Sequence, residues 1–251
     1  MTAWNFSPRH KPSKAPALQK QAKAGFHDGR FLSRRLLIHA INYAPEFIGC
    51  GKYTAELASF LRSRQHQIEV VTAPPHYPGW RVRPPYRSLA YCYETIDGIE
   101  VTRCPMLMRA DGRGVWRLLA PLSFAIASAP LIAWRILKFR PEVVLCVEPT
   151  LFSAPLALLA ARLVGARTVL HVQDLEVDAA FGVGHVRGEA LKWVALSGER
   201  LVLRSFDRLI TISQKMRSAL IAKGVEANRV QLLRNWVDVG VISPAGRRGN
   251  P

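Results

Sequence analysis

Residues 35–61 read RLLIHAINYAPEFIGCGKYTAELASFL, and this stretch decides the fold. The apolar run Leu36–Ile41 predicts a buried strand, and a turn that contains Gly49 and Gly51 follows it. Apolar residues then recur at helical spacing as far as Leu61, which predicts a helix. Backbone N–H groups at the start of such a helix can bind an anion. The alternative is that the two glycines only let the chain turn.

Strand and helix patterns alternate along the rest of the chain. Further strands are predicted at Gln67–Ala73, Gly98–Cys104, Glu142–Val147, Arg167–Val172, Arg208–Ile212 and Val230–Leu233. Further helices are predicted at Leu118–Trp134, Leu151–Val164, Glu189–Arg204 and between Ser213 and Gly224. Because most of these strands are continuous Val, Ile and Leu runs, the sequence predicts an α/β fold with a doubly wound, mainly parallel Rossmann-like sheet.

The polar clusters of the chain fall where the predicted strands end. They are Asn42–Lys52, Pro74–Arg87, Glu148–Thr150, His171–Asp178, Ser213 and Asn235. Right-handed crossovers bring the carboxyl ends of parallel strands to one edge of the sheet, where such folds bind their ligands. The sequence therefore predicts a single site at that edge.

The glycine turn does not match two stricter phosphate-binding motifs. A Walker loop requires a glycine where Glu46 lies and Ser or Thr where Tyr53 lies. A dinucleotide fingerprint requires a third glycine where Thr54 lies. An ATPase and an NAD-binding enzyme are therefore not favoured.

A second cluster, HVQDLEVDAAFGVG at residues 171–184, combines an imidazole with carboxylates. The chain passes here from a predicted buried strand into a glycine-containing loop. It carries side chains that could bind sugar hydroxyls, namely those of His171, Asp174, Glu176 and Asp178. The alternative is that the carboxylates cap a helix and face solvent. No metal site is expected, because the chain has neither metal-ligand histidine spacing nor a D-x-D motif. A G-x-S-x-G elbow is also missing, which argues against a serine hydrolase.

The chain is strongly basic, with a net charge of +17. Eight Lys and Arg against one Asp in residues 1–35 account for +7, and residues 1–33 are predicted to form a disordered basic leader. The remaining charge suits nucleic acid, an anionic membrane surface or phosphorylated substrates. No nucleic-acid motif accompanies it, so no nucleic-acid partner is expected. Four scattered cysteines are typical of reduced thiols in the cytosol.

The segment Leu118–Trp134 is the membrane candidate. It is uncharged for 17 residues between Arg117 and Arg135. That length falls short of the roughly 20 residues of a span, and the segment contains Pro121 and Pro130. We expect a buried helix or one that lies on an anionic lipid surface.

Six motifs, in this order, resemble those of one family. They are INYAPEFIGCGKYTAELASFL, TAPPHYPGW, RCP at 103–105, PTLFSAP at 149–155, GARTVLHVQDLEVDAAFGVG and RNWVD at 234–238. The series is similar to the amino-terminal half of the WcaI-like glycosyltransferases of colanic-acid-type exopolysaccharide biosynthesis. These belong to glycosyltransferase family 4 and have the GT-B fold. The resemblance runs from about Arg35 to Asp238, and the TAPPHYP and HVQDLEVD segments carry the narrower assignment.

The resemblance implies retaining transfer of a sugar from a nucleotide-sugar, with GDP or UDP, to a lipid-linked oligosaccharide, without a cofactor. It places the enzyme in the cytoplasm, peripheral to the inner membrane. The residues that it implies are Gly49, Gly51 and Lys52 for the donor phosphates, His171 and Asp174 for catalysis, and His76, Tyr77 and Glu148 for the acceptor.

The sequence departs from the family pattern after residue 238. A GT-B enzyme has a second domain there, with the nucleotide pocket and an E-x7-E glutamate pair, whereas only residues 239–251 follow here. We therefore expect residues 34–238 to form the acceptor-side domain of a truncated or split enzyme that is inactive alone. A separate chain would then carry the donor domain. The alternative is a non-catalytic partner subunit that binds the acceptor or the membrane.

Overall fold

The computed structural model describes residues 33–109, 116–148, 151–175 and 189–237. Contacts between Cα atoms group residues 32–235 as one unit, which holds every element named below. The described strands are β1 Arg35–Ala40, β2 Gln67–Thr72, β3 Cys92–Ile96, β4 Ile99–Arg103, β5 Val143–Glu148, β6 Arg167–Val172, β7 Arg208–Thr211 and β8 Val230–Leu232. The described helices are α1 Gly49–Ser63, α2 Trp116–Phe139, α3 Ala154–Leu163, α4 Glu189–Ser205 and α5 Gln214–Ala222. Two 3-10 turns lie at Leu151–Ser153 and Ala227–Arg229.

The described strands form one sheet in the order β3-β4-β2-β1-β5-β6-β7-β8. Neighbouring strands are parallel except for the β3–β4 pair. The chain leaves β1 toward β2 on one side and leaves β5 toward β6 on the other. The sheet is therefore doubly wound, as predicted, and its topological switch point lies between β1 and β5.

The predicted single strand Gly98–Cys104 is wrong in one respect, because it is half of a hairpin. β3 pairs antiparallel with β4, and Asp97 and Gly98 form the turn with φ of +52° and +75°. An Asp-Gly pair is a strong hairpin signal. β3 was missed because it is an edge strand whose side chains are exposed or half-buried, so it lacks an apolar run.

Two hydrophobic cores lie on the two faces of the sheet, because successive side chains of a strand point to opposite faces. On one face α1 contributes Ala58, which packs with Ile38 and Val70. On the other face α2 to α5 pack together, with Phe124 and Phe206 completely buried. Among the described elements, one helix therefore covers the first face and four cover the second.

The predicted helix ends agree with the structure at three positions. Ser213 is an N-cap whose Oγ accepts a hydrogen bond from the Met216 N–H at 3.2 Å. Gly165 and Gly224 follow their helices with φ of +71° and +89°. The proposed leader, apart from Ser33, and the tail 239–251 lie outside the described residues.

Candidate active site

The carboxyl ends of the parallel strands meet at one edge of the sheet. Ala40 on β1, Val147 on β5, His171 on β6 and Ile210 on β7 form one row of the register. Neighbouring strands are about 4.8 Å apart, so Ala40 and His171 are separated by about 10 Å across the sheet. The glycine turn that follows β1 and the polar residues that follow β6 therefore share this edge.

The glycine turn packs around a buried carboxylate that the sequence analysis did not assign. Glu46 Oε1 accepts hydrogen bonds from the backbone N–H groups of His76 at 2.8 Å and Tyr77 at 2.9 Å. Its Oε2 accepts one from Asn42 Nδ2 at 2.9 Å. A Cβ on Gly51 would lie 2.7 Å from that Oε2 atom. Glycine at position 51 thus makes room for the Glu46 side chain, which joins the glycine turn to the loop after β2.

The other two proposed donor-phosphate residues lie toward solvent. Gly49 has φ of +64°, and a Cβ there would lie 3.4 Å from the Tyr77 ring. The Lys52 Nζ atom lies 4.0 Å from a Glu56 oxygen and 5.5 Å from the centre of the Tyr53 ring. Because the Glu46 charge is next to Gly51, an anion would meet less repulsion on the Gly49 side of this turn.

His76 and Tyr77, the proposed acceptor residues, differ in exposure. The His76 side chain is buried, donates from Nδ1 to the Pro74 carbonyl at 2.9 Å and lies 6.0 Å from the Trp80 ring. Tyr77 is 41% exposed, and its ring lies against Gly49. Of the two side chains, Tyr77 is the one that is open to a ligand.

Arg103, at the end of β4, is a second buried group that connects the loops of this edge. Its Nη1 donates to the Ala73 carbonyl at 3.0 Å and its Nη2 to the Ala44 carbonyl at 2.5 Å. Its Nε donates to Glu94, and the guanidinium lies 4.6 Å from the Tyr86 ring centre. The sequence signal was an arginine at the end of an otherwise apolar strand face, which predicts a buried and fully paired guanidinium.

His171 is buried, and neither of its ring nitrogens has a hydrogen-bond partner among the described residues. Burial lowers the pKa of this imidazole from 6.5 to about 4, so it is neutral at pH 7. Gln173 Nε2, two residues further along the chain, is also buried and unpaired. Thr211 Oγ1 is unpaired too, but Thr211 pairs with Val172 and therefore lies on the opposite face of the sheet from His171. Buried polar atoms without partners are rare in proteins, so those of His171 and Gln173 at this strand end favour a polar ligand. The sequence analysis missed Gln173 and Thr211.

The remaining predicted site residues fall at the margin of the described part. Asp174 is exposed, and its Oδ1 accepts a hydrogen bond from the Leu175 N–H at 2.8 Å. The side chain of Glu148 lies outside the described residues, as do Glu176 and Asp178. The structure therefore places His171 and Asp174 on one strand end, with the first buried and the second in solvent.

Cys92, Cys104 and Cys146 are free thiols. Burial raises the pKa of both Cys104 and Cys146 to about 12, so these two thiols do not ionise at neutral pH. Within the described ranges, no three His, Cys, Asp or Glu side chains form a group that could hold a metal ion.

Comparison with known proteins gives a family and a relative. The sequence model of the Glycosyl transferase 4-like domain matches residues 49–236. WcaI of Escherichia coli K12, which is named as a colanic acid biosynthesis glycosyl transferase, is 41% identical over 209 residues. The match covers 82% of this chain and 51% of WcaI. The chain thus spans about half the length of this relative.

Solved structures share the fold at low identity. Sucrose-phosphate synthase from Thermosynechococcus elongatus gives a TM-score of 0.60 with 12% identity, over 84% of this chain and 50% of the synthase. Anabaena HepE in complex with UDP-glucose gives a TM-score of 0.49 with 12% identity, over 84% of this chain and 47% of HepE. The synthase match shows that the sheet and its helices have the architecture of one half of such proteins.

Proposed function

Because this chain belongs to the Glycosyl transferase 4-like domain family, we propose that it forms the acceptor-side half of a retaining glycosyltransferase. The enzyme transfers a sugar from a nucleotide-sugar to a lipid-linked oligosaccharide in exopolysaccharide biosynthesis. The family is the one expected from the motifs, and the 41% identity to WcaI supports the exopolysaccharide substrate class. Since the chain spans half of WcaI, the proposal assigns to it one side of the cleft only.

The observation that carries this proposal is the unpaired imidazole of His171 at the switch-point edge. A neutral ring can donate from one nitrogen and accept at the other, which suits the hydroxyl groups of a sugar. Its burial removes competing water and strengthens each hydrogen bond to the ligand. Gln173, two residues further along the chain, offers another unpaired donor. We assign the donor sugar and the reacting centre to this group.

The start of α1 is the proposed contact for the donor phosphates. Ile48 is the N-cap residue and makes no side-chain hydrogen bond to the helix, so no cap group competes for the N–H groups of the first turn. The helix dipole adds positive potential there. Lys52 can turn toward a phosphate at small cost, because its half-exposed contact with Glu56 is a weak ion pair.

The rate enhancement would come from position and electrostatics. A front-face transfer requires no nucleophile from the protein. It requires the acceptor hydroxyl to lie close to the anomeric carbon, and it requires stabilisation of the departing diphosphate. Tyr77 supplies an exposed ring next to the phosphate turn for the acceptor sugar. Glu46 and Arg103 are positioning residues that hold the two loops of this edge together.

A hybrid enzyme tests the proposal. Residues 35–238 of this chain replace the matching part of WcaI, and the hybrid is expressed in an Escherichia coli strain without WcaI. We expect the hybrid to restore colanic acid, measured as cell-associated fucose and uronic acid. The substitution His171→Ala in the hybrid should abolish this restoration.

The control is a second substitution at an exposed site, Leu89→Gln, which should leave restoration intact. Both hybrids must accumulate to the same level, as measured by immunoblot. If a well-expressed hybrid restores nothing, or if the His171→Ala hybrid restores as much as its parent, the proposed role is wrong.

A further inference from the structure

The helices on one face of the sheet expose large apolar side chains. On α2, Leu122, Ile126 and Leu137 point away from the sheet, and Ile126 is 68% exposed. Their spacing of four, and then eleven, residues keeps them on one side of the helix. Phe152, on the 3-10 turn Leu151–Ser153, and Leu159, on α3, also point away from the sheet.

Together with Leu163, which is 71% exposed, these side chains form what we call the apolar surface. α2 packs against both the 3-10 turn and α3, so the stripes on the two helices are neighbours. Monomeric soluble proteins seldom expose contiguous apolar areas of more than about 300–600 Å² unless the area binds something.

Charge identifies the partner. Residues 116–139 and 151–163 contain no acidic side chain. Exposed cations follow the apolar residues at the carboxyl ends of both helices. They are Lys138 in the last turn of α2, Arg140 just after α2, and Arg162 on α3. Lys138 lies 4.8 Å from the ring centre of Trp134, which is half exposed. Tryptophan beside lysine next to apolar residues is typical of a membrane–water interface.

The opposite side of α2 is part of the hydrophobic core. This indicates a helix that lies along a membrane surface and does not cross the membrane. The stretch Leu119–Phe139 is long and apolar enough, by length and composition, to span a membrane. However, Phe124, Ile132 and Ile136 are completely buried in the core, and Ser128 is hydrogen-bonded to His39 at 3.2 Å. A span would have to remove these contacts from the sheet.

We propose that the apolar surface is a docking site for an anionic lipid bilayer. Its side chains enter the boundary between headgroups and acyl chains, and Lys138, Arg140 and Arg162 contact lipid phosphates. A second copy of the chain is a poorer occupant, because it would bring the same cations together. The use of this contact rests on the proposed function: a lipid-linked acceptor lies at the same membrane surface.

Flotation of the 251-residue chain with vesicles tests the docking site. One vesicle type is phosphatidylcholine alone, and the other is phosphatidylcholine and phosphatidylglycerol in equal parts. We expect binding to the mixed vesicles that weakens as salt is added. The double variant Ile126→Gln/Leu163→Gln should bind the mixed vesicles more weakly. Each of its two substitutions should lower the affinity about tenfold, because each side chain loses an apolar contact with lipid.

Two further variants give the controls. Leu89→Gln, at a leucine that is 69% exposed but lies in the loop before β3, should bind like the unaltered chain. Lys138→Gln/Arg140→Gln should lower binding to mixed vesicles about fivefold per charge. The basic residues 1–35 are present in every variant, so differences between variants report on the apolar surface. Thermal melts verify that each variant is folded.

Two outcomes would overturn the docking site. One is equal binding of the unaltered chain and the Ile126→Gln/Leu163→Gln variant to mixed vesicles. The other is a dimer in light scattering that this variant abolishes, without vesicle binding by the unaltered chain, which would assign the surface to a second copy. No sugar donor is present in the assay. Flotation therefore tests the docking site alone, whereas failure of the hybrid enzyme to restore colanic acid contradicts the proposed function and not the docking site.

Discussion

Single residues at this edge have structural duties that their motif does not reveal. Gly51 is part of a motif that resembles a phosphate-binding turn, yet its nearest neighbour is the Glu46 carboxylate. We expect Gly51→Ala to destabilise the protein by about 2 kcal/mol, because a methyl group would displace a buried and fully bonded carboxylate. Urea unfolding followed by circular dichroism measures the change.

Gly79→Ala is the matched control, because a Cβ at Gly79 would meet nothing within 4 Å. Its effect should stay within about 0.5 kcal/mol. Alanine is the better helix former by about 1 kcal/mol. A Gly51→Ala variant that is about 1 kcal/mol more stable than the parent would therefore show that Glu46 moves aside freely.

Two buried histidines make stability depend on pH. Burial lowers the pKa of His39 and of His171 from 6.5 to about 4. The unfolded chain therefore binds protons below pH 6.5 that the folded chain does not bind. The free energy of unfolding is highest above about pH 6.5 and falls toward pH 4, by about 1.4 kcal/mol per pH unit for each histidine.

The comparison of the chain with its His171→Gln variant isolates this contribution, because carboxyl groups titrate in both. Denaturant unfolding at a series of pH values between about 4 and 7.5 should show a slope that is smaller by about 1.4 kcal/mol per pH unit in the variant. Parallel curves would mean that His171 is solvated or paired in solution.

At the scale of elements, the sequence predicts what periodicity encodes. Seven strands and five helices follow from apolar runs and helical spacing, and Ser213 and Gly224 mark their ends as expected. β3 is not predicted, because none of its side chains is fully buried and the edge strand therefore has no repeating apolar pattern. The shared edge of the site follows from the parallel connections alone.

The bracing of that edge could not be predicted from the sequence. Glu46 and Arg103 are distant in the sequence from the loops they bind, and no local pattern encodes a contact across about 30 or 60 positions. Likewise, the unpaired atoms of Gln173 and Thr211 are visible only once the neighbours of each side chain are known. The motif resemblance names segments for the site, but it does not explain what each residue contacts.

Arg103 connects three elements, which predicts a large effect of its removal. Arg103→Met removes the guanidinium donor to the Ala44 and Ala73 carbonyls, and it leaves the Glu94 carboxylate with the Tyr86 hydroxyl as its donor. We expect a loss of about 3 kcal/mol in the free energy of unfolding. Hydrogen exchange should also accelerate at the amide of Met106, a residue that follows β4 and donates a hydrogen bond to the Ser88 carbonyl.

Arg208→Met, at an exposed arginine that begins β7, is the control and should change stability by less than about 0.5 kcal/mol. A small effect of Arg103→Met would indicate that the methionine packs against Tyr86 well enough to replace the guanidinium.

At the scale of the whole molecule, the two proposed surfaces lie at different places around one sheet. The candidate active site lies at the carboxyl edge of the strands, whereas the apolar surface lies on the outer side of α2 and α3. α2 and α3 each start near that edge and run back toward the amino ends of the strands. A membrane that contacts these helices therefore does not cover the candidate active site.

This separation predicts that the two activities can be lost independently in the hybrid enzyme. With a lipid-linked acceptor in vesicles, His171→Ala should lower sugar transfer by about a hundredfold and leave flotation unchanged, because the proposed role of the imidazole is at the reacting centre and not at the membrane. Ile126→Gln/Leu163→Gln should lower flotation and transfer to the vesicle acceptor together. Transfer to a short-chain, water-soluble acceptor should be unaffected by this double variant, because distant sites act additively. If the double variant lost transfer to the soluble acceptor as well, the helix face would be coupled to the catalytic edge. The two surfaces would then form one functional unit.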